Sequence, residues 1–428
     1  MSRYLLNFVT AFFLLGASLF ERVPVVRADN PISPGFPYGT EKVRGVSLGG
    51  WLILHPWITP SLFNDLNSSV VDEWTFCEFQ DTSVARAALE NHWDTFYSEE
   101  DFANIAKAGL NHIRIPLGYW AFDVQPGEPY IQGQLPYLER VIKWATKYGL
   151  KVMLVLYGAP GSQNGFINSG HILSVPEWPF NQTDIDRTLA IIQRLESMFA
   201  NYPSVVPMIG ALNEPAGFIP GVLDTARQYY RDAYTAIRFP FGSDKQSNTV
   251  MMIHDTFQPL SNWTDFMSPP DYQGVVMDTH LYHGFTQAEL EQTEDEEIEE
   301  ACAHAANITS LNLWTIVGEW CTAFTDCAPG LNGRGMGARY DGTYPNSTFV
   351  GSCDGLTGSA ETFSDEYKTF MRRFWEAQTT AYETGIGWVQ WLWKTEEGAG
   401  EEWSYSKGLQ YGWIPWDQTD RLYPNVCG

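Results

Sequence analysis

Eight short apolar runs recur along this chain, with amphipathic stretches between most of them. The runs are Gly45–Leu48, His112–Ile115, Val152–Leu156, Val205–Leu212, Val250–Ile253, Val275–Asp278, Trp314–Val317 and Gly387–Leu392. Near-continuous apolar strands are buried on both faces, as in a parallel sheet covered by helices. Helical patterns fall at Glu99–Ala108, Tyr137–Tyr148, Ile185–Asn201, Asp224–Arg238, Glu289–Ala306 and Thr362–Thr384. Eight buried strands alternating with helices predict an α/β chain folded as a (β/α)8 TIM barrel. An open doubly wound sheet is the alternative. No Gly-x-Gly-x-x-Gly follows the first run, which weakens a nucleotide-binding version of that sheet. No repeat and no low-complexity linker divides the chain, so residues 29–428 are expected to form one catalytic barrel. The Gly-rich stretch 323–360 is expected as a long loop on the C-terminal face.

Residues 1–28 read as a secretory signal. Arg3 supplies the positive end, Leu5 to Leu19 the apolar segment, and Val26-Arg27-Ala28 and Gly16-Ala17-Ser18 are both usable small-residue cleavage sites. Two further features fit a secreted, extracellular product. The six cysteines are an even number, which suits an oxidising compartment and allows many pairings. Asn-x-Ser/Thr sequons stand at Asn67, Asn181, Asn262, Asn307 and Asn346. A formal charge of −25 leaves no basic block to neutralise phosphates, so nucleic acid is not an expected partner. No second long apolar run argues for a membrane span. The 17 tryptophans fit either a large core or stacking platforms for sugar rings.

In a (β/α)8 barrel the reacting groups stand at the C-terminal ends of the strands. The fourth run ends Asn213-Glu214-Pro215 and the seventh ends Gly318-Glu319-Trp320. Glycoside hydrolysis uses such a pair of carboxylates, one to protonate the leaving oxygen and one to attack the anomeric carbon or activate water. Arg114 ends the second run and is placed to steady a negative charge. His280 and Tyr282 follow the sixth run, and Trp393 closes the eighth as a candidate floor for the sugar. There is no Gly-x-Ser-x-Gly elbow, phosphate loop or His-Glu-x-x-His motif, and the cysteines lack zinc-ribbon spacing. No cofactor and no metal is expected, and the partner is a glycoside or oligosaccharide substrate bound by a monomer.

These residues carry a resemblance. From about residue 42 onward the chain resembles the fungal exo-β-1,3-glucanase branch of glycoside hydrolase family 5. The matching motifs are Arg44-Gly45-Val46-Ser47-Leu48-Gly49-Gly50-Trp51, Thr59-Pro60-Ser61-Leu62-Phe63, Ile113-Arg114-Ile115-Pro116 and Gly158-Ala159-Pro160-Gly161-Ser162-Gln163-Asn164-Gly165. Asn213-Glu214-Pro215, Gly318-Glu319-Trp320 and Trp393-Lys394-Thr395-Glu396 complete the series. The resemblance implies a retaining double displacement with Glu214 as acid/base and Glu319 as nucleophile. It implies Asn213 on the substrate's 2-hydroxyl, Arg114, His280 and Tyr282 around the nucleophile, and Phe166 and Phe285 at the site entrance. It also implies the disulfides Cys302–Cys427 and Cys327–Cys353, with Cys77–Cys321 expected as a third.

Three positions depart from the family pattern. His55 and Ile167 stand where the glucanases usually carry acids at the blind end of the glucose pocket, and Tyr157 stands where they usually carry His. A buried hydroxyl that loses its acceptor costs about 1–3 kcal/mol. A less polar pocket end suits a deoxysugar methyl. The departures therefore favour a diglycosidase of the rutinosidase kind, releasing a 6-O-substituted glucose from flavonoid glycosides. The alternatives are an exo-β-1,3-glucanase and a non-catalytic glucan-binding protein.

Overall fold

The computed structural model describes residues 32–242 and 245–428. The expected signal segment lies outside the described residues. Eight parallel strands close into a barrel in sequence order. They are β1 (Val43–Ser47), β2 (His112–Gly118), β3 (Lys151–Gly158), β4 (Met208–Gly210), β5 (Val250–His254), β6 (Val275–His280), β7 (Trp314–Glu319) and β8 (Gly387–Gln390). β1 closes the ring on β8, with Gly45 opposite Val389. Each strand is buried along nearly its whole length, because the barrel fills one face and the helices cover the other. β4 is shorter than its apolar run. Pro207 has no N–H to give the sheet, and pairing starts at Met208.

The helices are α1 (Glu73–Glu78), α2 (Thr82–Thr95), α3 (Glu99–Lys107), α4 (Leu135–Tyr148), α5 (Gln182–Phe199) and α6 (Val222–Arg238). α7 (Gln287–Leu290), α8 (Glu294–Ile308), α9 (Asp365–Tyr382) and α10 (Tyr405–Tyr411) follow. The single helix expected over residues 289–306 is two. Thr293 and Glu296 form a capping box that starts α8 afresh, with the acidic run in its first turn. α1, α2 and α10 are not in the sequence reading: α1 and α2 precede α3 in the connection from β1 to β2, and α10 is a short helix after β8. Nine of the 17 tryptophans are fully buried, so most of that enrichment is core rather than sugar platform.

Cys302–Cys427 and Cys327–Cys353 are disulfides, as the resemblance implies. The third expected pair is a correction: Cys77 and Cys321 are both free and buried. Cys77 faces inward on α1. Cys321 follows β7, its thiol donates to the Ala323 carbonyl at 3.4 Å, and its own carbonyl takes Gln378 of α9. The two sit on different elements and have separate partners. Cys327–Cys353 closes part of the 323–360 loop on itself, and Arg334 ties that loop to the carbonyls of Leu66 and Val70 at 2.8 and 2.9 Å. The five sequon asparagines are all exposed.

Candidate active site

Glu319 ends β7 with its carboxylate buried inside the barrel mouth. Four neighbours converge on it. Arg114 of β2 pairs with Oε1, and the Tyr157 hydroxyl donates to the same oxygen at 2.6 Å. The Tyr282 hydroxyl donates to Oε2 at 2.8 Å, and His280 Nδ1 stands 3.7 Å from Oε2. Burial alone pushes this carboxyl up. The charges of His280 and Arg114 and the two hydroxyls outweigh it and hold the group below the ordinary carboxylate range. Glu319 is therefore ionised, the state a nucleophile needs. Gly318 is required beside it, since a Cβ there would lie 2.0 Å from Asp278 Oδ1.

Glu214 follows β4 in a different setting. Its backbone is left-handed at φ 48°, which costs a non-glycine residue about 1–3 kcal/mol. Gln163 and Asn164 hold that turn through the carbonyls of Asn213 and Glu214, at 2.8 and 3.1 Å. This is what the Gly158–Gly165 motif does structurally: it clamps the peptide carrying Glu214. The carboxylate meets His280 Nδ1 at 2.7 Å and Asn168 Nδ2 at 2.5 Å. His280 thus stands between the two glutamates. Burial pulls its imidazole down, but Glu319 and Asp278 raise it well above the ordinary value, and its Nε2 reaches Asp278 at 3.3 Å. Arg114 also fixes the Asn213 amide oxygen at 2.7 Å, leaving the Asn213 Nδ2 with no protein partner.

Tyr157 and Trp391 stack with centroids 5.7 Å apart, and His55 sets its edge against both, 6.0 and 5.7 Å away. Burial brings the His55 imidazole down to about 4, so it is neutral, with the Ile53 backbone carbonyl beside it. It is Trp391, and not Trp393, that packs on Tyr157 and His55. The Trp393 indole instead donates to Asp101 at 2.9 Å and its ring packs against Tyr405, which corrects the expected sugar floor. Ile167 lies half-buried in the turn that carries Asn168. Around the rim, Phe166, Phe218 and Phe257 form a cluster of mutually contacting exposed rings, 39%, 57% and 40% exposed. Phe285 packs edge-on against Tyr282. The sequence reading missed Asn168, Asp278, His254, Trp391, Phe218 and Phe257. The strand-end rule points to Asp278 and His254, and no sequence signal marks the others.

Ligand atoms of Glu214, His254 and His280 lie within 4.8 Å of one another, a spacing that suits a metal ion. The protons argue otherwise. His254 Nδ1 accepts the Thr256 N–H at 2.9 Å, which places its ring proton on Nε2. Both nitrogens of His280 face carboxylates. Neither ring offers a lone pair, and the cluster is built from proton donors.

Two carboxylates in contrasting environments, joined by one imidazole at the mouth of a (β/α)8 barrel, define an O-glycosyl hydrolase site. The comparisons agree. The cellulase model of glycosyl hydrolase family 5 matches residues 77–332. A glucan 1,3-beta-glucosidase of Blumeria graminis is 43% identical over 399 residues, covering 92% of this chain and 91% of that protein. A probable glucan 1,3-beta-glucosidase A of Aspergillus niger is 42% identical over 421 residues, covering 97% of each. Among solved structures, a rutinosidase from Aspergillus niger shares the fold at TM-score 0.69 and 19% identity, covering 89% of this chain and 99% of that one. The chain belongs to glycosyl hydrolase family 5.

Proposed function

We propose that the chain is a secreted, retaining, exo-acting β-glucosidase that removes glucose from the ends of β-1,3-glucan. Glu319 attacks the anomeric carbon. Glu214 protonates the leaving oxygen and then activates the water that releases the sugar. One observation carries the assignment: both carboxylates reach His280 Nδ1, at 2.7 and 3.7 Å, while only Glu319 is also held by Arg114 and two tyrosine hydroxyls. A shared nitrogen keeps those two oxygens within about 6.4 Å of each other, which favours the closer spacing of a retaining pair. The ionised nucleophile and the acid are told apart by their surroundings.

The sequence-based preference for a 6-O-substituted glucose rests on an apolar pocket end. His55 weakens it. Its imidazole is neutral but polar, with one donor and one acceptor nitrogen, so it does not make the pocket end apolar. The case for a methyl-bearing sugar is weakened, and the names of the relatives point to a glucan. The exposed Phe166, Phe218 and Phe257 rings lie on the Glu214 side, where the leaving group departs, and suit the faces of a following glucosyl unit. The test compares purified protein on laminarin and on rutin. Glucose released faster from laminarin, as the β-anomer first, supports the reading. Faster turnover of rutin with release of free rutinose overturns it.

A further inference from the structure

His254, at the end of β5, takes no part in the chemistry just described, yet its setting is specific. The ring is buried, and the Thr256 N–H fixes its tautomer by donating to Nδ1. Its proton is therefore on Nε2, and that atom has no hydrogen-bond partner. A buried N–H without an acceptor is costly, and few native groups are left so. The neighbouring ring does not serve. His280 packs against His254 with ring centroids 4.4 Å apart and planes inclined at 68°, but it carries positive charge, so its face is no acceptor. One ring nitrogen of His254, one of His280 and a carboxylate oxygen of Glu214 lie within 4.8 Å of one another, so Glu214 is a carboxylate beside this ring.

We propose that His254 is a positioning residue whose Nε2–H is held in reserve for the Glu214 carboxylate, which it meets once Glu214 has given its proton to the leaving oxygen. His280 and Asn168 already donate to Glu214, one to each oxygen. His254 is the third donor, free because the carboxylate needs it only in the second half of the cycle. There Glu214 must be ionised to take a proton from water, and a neutral donor favours that state without adding a charge beside the oxocarbenium-like transition state. Burial and the charges of His280 and Arg114 pull the His254 imidazole well below its ordinary value, so it stays neutral throughout. The other titratable groups facing it are Asp255, 3.7 Å from Nδ1 and pushed up to about 7 by burial, and Asp278 behind His280.

The inference rests on Glu214 being the acid/base, so the experiment tests both. Glu214→Ala is assayed first with 2,4-dinitrophenyl β-glucoside and azide. Formation of β-glucosyl azide supports the assignment, and its failure overturns the acid/base reading itself. With that in hand, turnover of the same substrate, limited by release of the glucosyl enzyme, is followed against pH for His254→Phe and His254→Gln. His254→Phe is expected to move the acid limb of kcat upward by about one to two pH units, the loss of one hydrogen bond to a charged group. His254→Gln keeps an N–H at the same reach and is expected to restore the wild-type limb. Equal rate losses at every pH, with both limbs in place, would reduce His254 to a packing residue and overturn the proposal. Histidine ¹⁵N spectra of the wild-type protein give a check that needs no variant. The neutral Nε2–H tautomer supports the proposal, and Nδ1–H or imidazolium contradicts it.

Discussion

Removal of one hydroxyl tests how the nucleophile is kept ionised. In Tyr157→Phe the ring stays stacked on Trp391 and under Arg114, and the 2.6 Å donor to Glu319 Oε1 is lost. A hydrogen bond to a charged acceptor contributes about 1.5–3 kcal/mol, and one pKa unit corresponds to about 1.4 kcal/mol. Glu319 should therefore titrate about one to two units higher than in the wild type. Arg114 and Tyr282 remain, so it is still ionised near neutrality. The sign follows from linkage. A carboxyl held below its unfolded value contributes stability that is present above that unfolded value and lost as pH falls through the lowered one. Weakening the hold moves that loss to higher pH. The assay is kcat/KM for 4-nitrophenyl β-glucoside across the acid range. The acid limb should rise by about one to two units, with a plateau reduced by less than about tenfold because the lost donor favours the ground-state charge most. An acid limb that stays in place, or moves down, would refute the electrostatic account of Glu319.

Trp391→Ala should lower kcat/KM by about 10²-fold through loss of roughly 3 kcal/mol of contact in the pocket, whereas Trp393→Phe should leave kinetics near wild type and lower thermal stability through the lost bond to Asp101. Thiol titration should find no reactive cysteine in the native protein and two after denaturation without reductant, from Cys77 and Cys321. Replacing both Cys302 and Cys427 by serine opens a loop of 125 residues and should cost about 2–5 kcal/mol in denaturant unfolding, with the midpoint displaced accordingly.

The barrel was legible because burial on both faces leaves a signal that short windows can carry: all eight apolar runs contain strands. The two glutamates were legible for the same reason, since strand ends are countable. What sequence did not show depends on where side chains turn after the strands end. Trp391 and Trp393 are two residues apart in one motif, and nothing in their spacing says which ring enters the pocket. His55 looked like a lost acceptor when read as a substitution. In place it is a buried neutral imidazole, still polar, so the substitution does not make the pocket end apolar. Cys77 and Cys321 were paired on number alone, and pairing demands proximity that number does not provide. Asn168 and Phe218 lie in irregular loops, where no periodicity marks a functional position.

The central claim is that Glu319 forms the covalent bond to the sugar. Incubation with 2-deoxy-2-fluoro-β-glucosyl fluoride, followed by proteolysis and mass spectrometry, tests it most directly. A single glucosyl label on Glu319, removed with time by an added acceptor sugar, is the predicted result. Label on Glu214 or another residue, or full activity of Glu319→Ala, would contradict it.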